Sequence, residues 1–453
     1  MERQMLRADL EKLRKSGKLL VCERQVDPKF ELGAVLKHFS NKKPILFNNV
    51  KGSNVSVIGG MFGDRDIFYH MVNTNHEQRI CKFMDAIANP QSTKLLDNGP
   101  VKENILTRNI DITRLFPIPT FHESDSSSFI TAGVVIIKDH ETGKRYTSIR
   151  RLQVNRGDNL SILIASPLLT GQLQELKAKK KDLEVAVILG YDYGFLLASQ
   201  VSSELYGVDK YEVDSALRGE PLELVKCHQI DLEVPAHAEI VFEGVIPHGK
   251  EEVEGPFGEL MGYYGNIANH PVIEVKTVMF RNNPIFQVSF PCREEHLSNG
   301  LMREVELYMH VSKFADIKDV NMTIGGGCRF HGIVSINKKQ EGDGKGVILG
   351  ALGSNKDMKH VIVVDKDIDI FDGDDIEGAL ATRVQASKDI VVVSGAHGSG
   401  LDPSHNIRGI TDKVGIDATK PLGEAGIKFN KAIIPGYEKI DIEKYFPKFK
   451  GGM

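Results

Sequence analysis

The sequence predicts a multidomain protein of mixed α/β and β class. It reads as an N-terminal α/β region, a central β-rich barrel or sandwich, and a C-terminal α/β domain. Three observations predict this. The chain has 453 residues, more than one ordinary hydrophobic core accommodates. Strand-like runs crowd the stretch from about residue 132 to about residue 290. Beyond about residue 316, apolar runs alternate with helical patterns, as in βαβ units around a mostly parallel sheet.

The elements follow in order. Leu6, Leu10 and Leu13 fall on one face of a helix over residues 5–16, which Gly17 can end. A polar, Ser-rich segment from His122 to Ser128 precedes the strand at Ala132–Asp139. Further strands read at Glu184–Leu189, Ala238–Glu243, Val272–Phe280 and Ile285–Phe290, and the turn Asn282-Asn283-Pro284 predicts that the last two form a hairpin. A helix is expected near Met302–Lys313. Gly332–Ile336, His360–Asp365 and Asp389–Ser394 read as buried strands, with a helix at Asp375–Arg383. The domain boundaries are placed at 1–110, 111–315 and 316–453.

Composition excludes several functions. Net charge is -4 and the sequence pI is about 6.4, so nothing suggests a nucleic-acid or anionic-membrane footprint. No apolar run is long enough to cross a bilayer, and the charged N-terminus lacks a signal-peptide core. Five scattered cysteines without CxxC spacing argue against a disulfide framework or zinc ribbon, and a reducing cytoplasm is expected. Asp365, Asp367 and Asp369 alternate like an EF-hand loop, but Ile370 and Ile376 break the pattern. They read instead as a polar strand end followed by acids at a helix start. Gly344-Lys345-Gly346 is out of register for a dinucleotide fingerprint, and Gly325-Gly326-Gly327 reads as a plain turn.

The most informative stretch is Glu254-Gly255-Pro256-Phe257-Gly258-Glu259. Its spacer suits neither a helix interior nor a central strand, so the chain turns there and can aim two carboxylates into one cleft. Paired carboxylates in unlike surroundings are one way to keep one acid protonated beside a charged neighbour. Two solvated glutamates on a surface turn would look the same in isolation.

The neighbouring segments make the pair specific. Tyr146–Val154, Leu217–Cys227, Leu232–Gly244, Glu254–Tyr264, Glu294-Glu295-His296, Asp365–Asp375 and Ile416–Thr419 together resemble the UbiD family of reversible decarboxylases, which use prenylated FMN. The resemblance runs, with gaps, from about residue 5 to about residue 425. It implies a central split β-barrel that binds the flavin and a C-terminal domain that dimerises. It also implies Arg151, Glu254 and Glu259 as the catalytic set, with Glu259 as proton donor. Ile149, Arg150 and Arg151, with Leu163, Ile164 and Ala165, match flavin-contacting positions. Lys413 is expected to meet the flavin phosphate and His296 to face the substrate, or to be a packed core histidine.

The chain departs from the family where a divalent metal would sit. The family's Asn, His and Glu ligands correspond to Tyr146, a stretch without His at 167–169, and Lys210. The residues therefore do not support manganese. Lys210 either places an ammonium against the phosphate in the cation's stead or is a solvated helix residue between Asp209 and Glu212.

The resemblance implies a carboxylic acid substrate, a flavin prenyltransferase as cofactor supplier, and a homodimer or larger homo-oligomer. The first expectation is a hydroxybenzoate-type or α,β-unsaturated acid. The alternatives are a phosphorylated isoprenoid-pathway acid and a non-catalytic relative that binds a flavin or partner. Ser399, with His397 two residues earlier, stands where catechol-type relatives carry a His, which weakens a dihydroxybenzoate reading.

Overall fold

The computed structural model describes residues 4–139, 141–164, 167–406 and 409–446. The predicted first helix is Met5–Lys15, with Leu6, Leu10 and Leu13 buried as its periodicity requires. It is tied to the central region by hydrogen bonds from Met5 N–H to Asp192 and from Tyr193 N–H to Asp9, and the N-terminal region also holds a four-stranded sheet. Three of the strands are β1 (Leu20–Cys22), β2 (Ile45–Phe47) and β3 (Ser56–Gly59).

The centre is a closed barrel. Its strands are β4 (Phe129–Lys138), β5 (Arg145–Arg156), β6 (Asn159–Ile162), β7 (Leu183–Leu189), β8 (Ile240–Ile246) and, after β9 (Glu251–Glu254), the long β10 (Ala268–Phe280). They pair antiparallel in the order β8-β7-β4-β5-β6-β10, and β10 pairs back onto β8 to close the ring. The β-branched runs that signalled strands are buried on both faces of the barrel wall; Val134, Ile136, Ile188 and Val241 share one face, and Val185 and Val187 the other. β9 adds to one end of β10, with Glu254 opposite Ala268.

The predicted hairpin does not form. The next strand, β11 (Ile285–Gln287), leaves the barrel and lies parallel to β3 as the fourth strand of the N-terminal sheet. The turn at 282–284 is real, with Asn283 at φ +48°, but β10 is already paired with β8, β6, β9 and the short strand Asn104–Leu106. No edge is left for a returning strand.

The C-terminal domain holds β12 (Ile317–Met322), β13 (His331–Ile336), β14 (His360–Asp365), β15 (Ile390–His397) and β16 (Ile410–Ala418), ordered β12-β13-β14-β16-β15. Its three middle strands are parallel and its two edges antiparallel. β15 was expected to be buried. As an edge strand it is largely exposed, with Val392 62% accessible. Gly325–Gly327 is a turn, and Asp365 and Asp367 both pair with Arg383 ahead of the helix Gly373–Arg383.

Candidate active site

Arg151 sits on β5, opposite an irregularity in β4. Leu152 pairs with Ile130 and Arg150 with Gly133, so two residues, Thr131 and Ala132, oppose Arg151 alone. Such a bulge bends the strand and re-aims the side chain facing it. Arg151 and Gln153 share one face of β5, two residues apart. Both reach the acid-bearing loop. Gln153 Oε1 accepts the Gly255 N–H at 2.8 Å, and Arg151 donates from Nε and Nη2 to the two oxygens of Glu254 at 2.8 and 2.9 Å. That is the bidentate fork Arg makes with a carboxylate.

The loop follows the turn its sequence demands. Gly255 has φ +90°, a conformation L-residues rarely adopt. Gly258 approaches His122 so closely that a Cβ would lie 2.3 Å from its Nδ1. Asp125 pins this approach by accepting the N–H groups of Gly258 and His122, both at 2.9 Å. Burial opposes charge on Asp125, but hydrogen bonds from His122 and Gly258 outweigh it and hold the carboxyl below its ordinary range. Glu259 closes the turn with its own N–H to Tyr263 O, and its carboxylate meets Arg151 Nη1. The three side chains thus form one unit whose exposure is graded. Glu254 is fully buried, the Arg151 side chain is 9% exposed and the Glu259 side chain 19%. Phe257 lies beneath the guanidinium, 5.1 Å from ring centre to Cζ.

This unit lines a cavity of about 340 Å³ between the barrel and the segment leading into the helix Leu297–Val311. That is within the range of small-molecule sites. Ile149, Arg150, Arg151, Leu163, Lys210, Glu259 and His296, all singled out from sequence, line it together. Glu254 stands behind Arg151. Ala165 lies outside the described residues. Ile164 lines a different cavity, with Leu173 and Pro247.

Lys413 is a correction. It is buried, and its Nζ donates to the carbonyls of Leu352, Asn355 and Lys356, at and just beyond the end of the helix Asp343–Ser354. A cation there complements unpaired carbonyls and the helix dipole, and the residue is not among those lining the cavity.

Lys210 is not a solvated helix residue. It opens the helix Lys210–Arg218 and turns inward, donating to the carbonyls of Thr147 and Ser199, each at 2.7 Å. Two carbonyls around an ammonium form a small cation site filled by a side chain. Among the described residues no group of three or more His, Cys, Asp or Glu is arranged to hold a metal.

The far wall was not read from sequence. Arg329, Asn299, Ser289, Gln200 and Glu295 line it. Arg329 donates to Asp357 at 2.7 Å, while its buried Nε has no partner. Arg303 donates to the same Asp357, at 2.8 Å. Burial and then Arg329 push the Arg303 guanidinium down to about 10, and burial, Arg329 and Arg303 push His296 down to about 3. Arg150 is lowered by burial and then by Arg329, and no carboxylate among the described residues pairs with it. This wall carries more positive charge than its carboxylates compensate. The sequence signals for it were the matched segment Glu294-Glu295-His296 and Arg329, two residues after the Gly325–Gly327 turn, where a side chain can be presented from a tight bend.

Family models match most of the chain. They describe the N-terminal, Rift-related and C-terminal domains of 3-octaprenyl-4-hydroxybenzoate carboxy-lyase, at residues 10–87, 94–294 and 296–418. The chain belongs to the UbiD family. It is 37% identical to an anhydromevalonate phosphate decarboxylase of Methanosarcina mazei, over 94% of this chain and 98% of that one. It is 32% identical to a phenolic acid decarboxylase of Bacillus subtilis, over 92% and 93%. Its fold matches the UbiD-class enzyme HmfF of Pelotomaculum thermopropionicum in complex with FMN, with TM-score 0.94, 43% identity and coverage of 97% and 100%. An evolved dimeric form of HmfF in complex with prFMN matches with TM-score 0.90 and 40% identity, over 98% and 100%. The chain is a carboxy-lyase of this family, not a non-catalytic relative. Among the described residues no helix is long and apolar enough to cross a membrane.

Proposed function

We propose that the protein is a prenylated-FMN-dependent, reversible decarboxylase of an α,β-unsaturated acid that carries a second anionic group, a phosphate foremost. The observation that carries this reading is the cavity itself. The acid wall presents a fixed Arg–Glu–Glu unit, while Arg150 from β5 and Arg329 from the far side line the same cavity with fewer carboxylates than guanidinium groups, and Arg303 adds positive charge next to Arg329.

The residues present fit a phosphate-bearing flavin. The backbone at Ile149–Arg151 and Leu163 lines one side, and the Lys210 ammonium supplies a point charge beside Ser199 and Gln200. The modified flavin, when bound, supplies the electron sink that decarboxylation needs. A flavin prenyltransferase would supply it. Lys210 takes the place of the cation, so the reading requires no divalent metal at this site.

The side chains supply the rest. Glu254 occupies two donors of Arg151 and fixes its orientation, leaving Nη1 toward the cavity. A substrate carboxylate competes with Glu259 for that donor. Displaced from Arg151, Glu259 is the acid of the unit that reaches the cavity, and on this reading it is the proton donor. It delivers its proton to the carbon once CO2 has left, and the reverse sequence is carboxylation. Arg329 neutralises the second anion, and Arg303, paired to the same Asp357, adds positive charge next to it.

The relatives named for anhydromevalonate phosphate support the phosphate reading. A hydroxybenzoate-type acid is the second reading, favoured by the phenolic acid decarboxylase relative. Against a dihydroxybenzoate, Ser399 is buried, and His397 is exposed on β15 and is not among the residues lining the cavity. Exposed Val392, Ile433, Ile434 and Tyr437 offer apolar surface for a homodimer or larger assembly.

Co-expression with a flavin prenyltransferase, followed by an absorption spectrum and elemental analysis, tests the cofactor site. Bound modified flavin without stoichiometric manganese or magnesium is expected. A colourless protein, or one metal per chain, contradicts it.

A further inference from the structure

Glu295 has no part in the chemistry above, yet it lines the same cavity. It sits in the single turn Glu294–His296 that leads into the helix Leu297–Val311, and it is only 7% exposed. Both of its carboxyl oxygens are buried without a hydrogen-bond partner. No ammonium or guanidinium among the described residues pairs with it. A buried polar group is almost always satisfied, by protein, water or ligand, so an acid beside a cavity whose two oxygens are buried and unpaired is a position awaiting a partner.

The groups that face it are uncharged except one. The Ser289 side chain favours the charged form of the carboxyl, and the Ser289 N–H is already given to Thr131 Oγ1 at 3.1 Å. Tyr191 and Tyr193 feel its charge, and burial holds both phenols in the neutral form. Cys292 is held as the thiol, chiefly by burial and then by Glu295 itself. His296 next to it is neutral above about 3. The one charged neighbour is Glu294, a like charge. Burial first, and Glu294 after it, push Glu295 up to about 8, with Ser289 opposing. At neutral pH it is a carboxylic acid, able to donate one hydrogen bond.

We propose that Glu295 is a substrate-binding residue that donates a hydrogen bond to an acceptor oxygen of the bound acid. This rests on the decarboxylase reading above and adds a neutral donor to the charged groups already there. The same neutral acid could address a flavin carbonyl instead, and the variants separate the two. Glu295→Gln keeps a donor without a titrating proton, and Glu295→Leu removes it.

The test has two arms. The first is infrared difference spectroscopy of the FMN-loaded protein at pH 7, with 3-methylcrotonate as the unsaturated-acid probe. A protonated-carboxyl stretch absent from Glu295→Gln and shifted by the probe is expected; no Glu295-specific band, or a band indifferent to the probe, overturns the proposal. The second arm is steady-state kinetics with thermal melts to confirm folding. Glu295→Leu should raise KM about tenfold or more at unchanged flavin occupancy, while Glu295→Gln stays near wild type at pH 7 and loses the alkaline fall in kcat/KM near pH 8. An unchanged KM in Glu295→Leu, or loss of flavin instead of a higher KM, contradicts it. Absence of turnover by the wild type would fail the substrate reading alone, because the infrared arm needs only binding.

Discussion

The two walls of the cavity are built on opposite principles. On the barrel wall the acid-bearing unit is fully partnered, and only Arg150, the neighbour of Arg151 on β5, has no carboxylate among the described residues. Arg151 is shared between Glu254 and Glu259, Gln153 holds the Gly255 N–H, and Asp125 holds the Gly258 N–H. On the far wall partners are missing. Arg329 Nε and both Glu295 oxygens are unpaired, and Arg303 and His296 are pressed by Arg329. A fully paired unit costs nothing to hold in place when the reaction begins, which is what a proton-handling group needs. An under-satisfied wall gains most when a ligand arrives, which is what a binding surface needs.

Breaking the paired wall should have the largest consequences. Glu259→Gln keeps the shape and removes the proton, so decarboxylation should fall by about 10²–10⁴-fold while the flavin spectrum is unchanged. Arg151→Ala leaves Glu254 buried with only His270 Nε2, at 3.9 Å, beside its carboxylate. It should lose about 3–5 kcal/mol of stability in denaturant melts, besides its activity. The conservative Arg151→Lys should not rescue it, because an ammonium cannot make the fork.

Changes at the edge of the paired wall and on the open wall should be smaller and should fall on binding. Lys210→Met removes a charged donor and leaves two carbonyls unpaired. FMN affinity by fluorescence titration should drop roughly ten- to a hundredfold, the worth of a hydrogen bond from a charged group. Arg329→Met should raise KM for a phosphate-bearing acid by a similar factor, with kcat nearly unchanged.

The smallest effect concerns His296. Its folded value, about 3, lies below the ordinary value, so the folded protein binds fewer protons than the unfolded one between pH 3 and 6.5. This contribution is fully present above about pH 6.5 and is lost as pH falls toward 3. Melts of His296→Gln should therefore lose less stability than wild type over that window. Equal slopes would show that His296 titrates normally.

The same contrast explains what was legible in the sequence. Glu254-Gly255-Pro256-Phe257-Gly258-Glu259 announces a turn with two acids because glycine and proline restrict the backbone locally. The strand runs of the barrel announce themselves by β-branched residues. The bulge that aims Arg151 does not, because it depends on which strand lies opposite. The fate of Ile285–Gln287 was illegible for the same reason: turn chemistry predicts a reversal, not which sheet has a free edge. Lys413 was misplaced because a charged residue beside a recognisable motif carries no sign of its depth. Glu295 was read only as part of a matched segment, and Arg329 was not read at all, because a missing partner is a property of three-dimensional packing, visible only once every neighbour is in place.

The most direct measurement is CO2 release by the wild-type protein carrying prenylated FMN, with anhydromevalonate phosphate, the same acid without its phosphate, and 4-hydroxybenzoate as competing substrates. The account predicts the highest kcat/KM for the phosphate-bearing acid, with the difference from its dephosphorylated form lost in Arg329→Met. Turnover of 4-hydroxybenzoate with the phosphate-bearing acid untouched would contradict it.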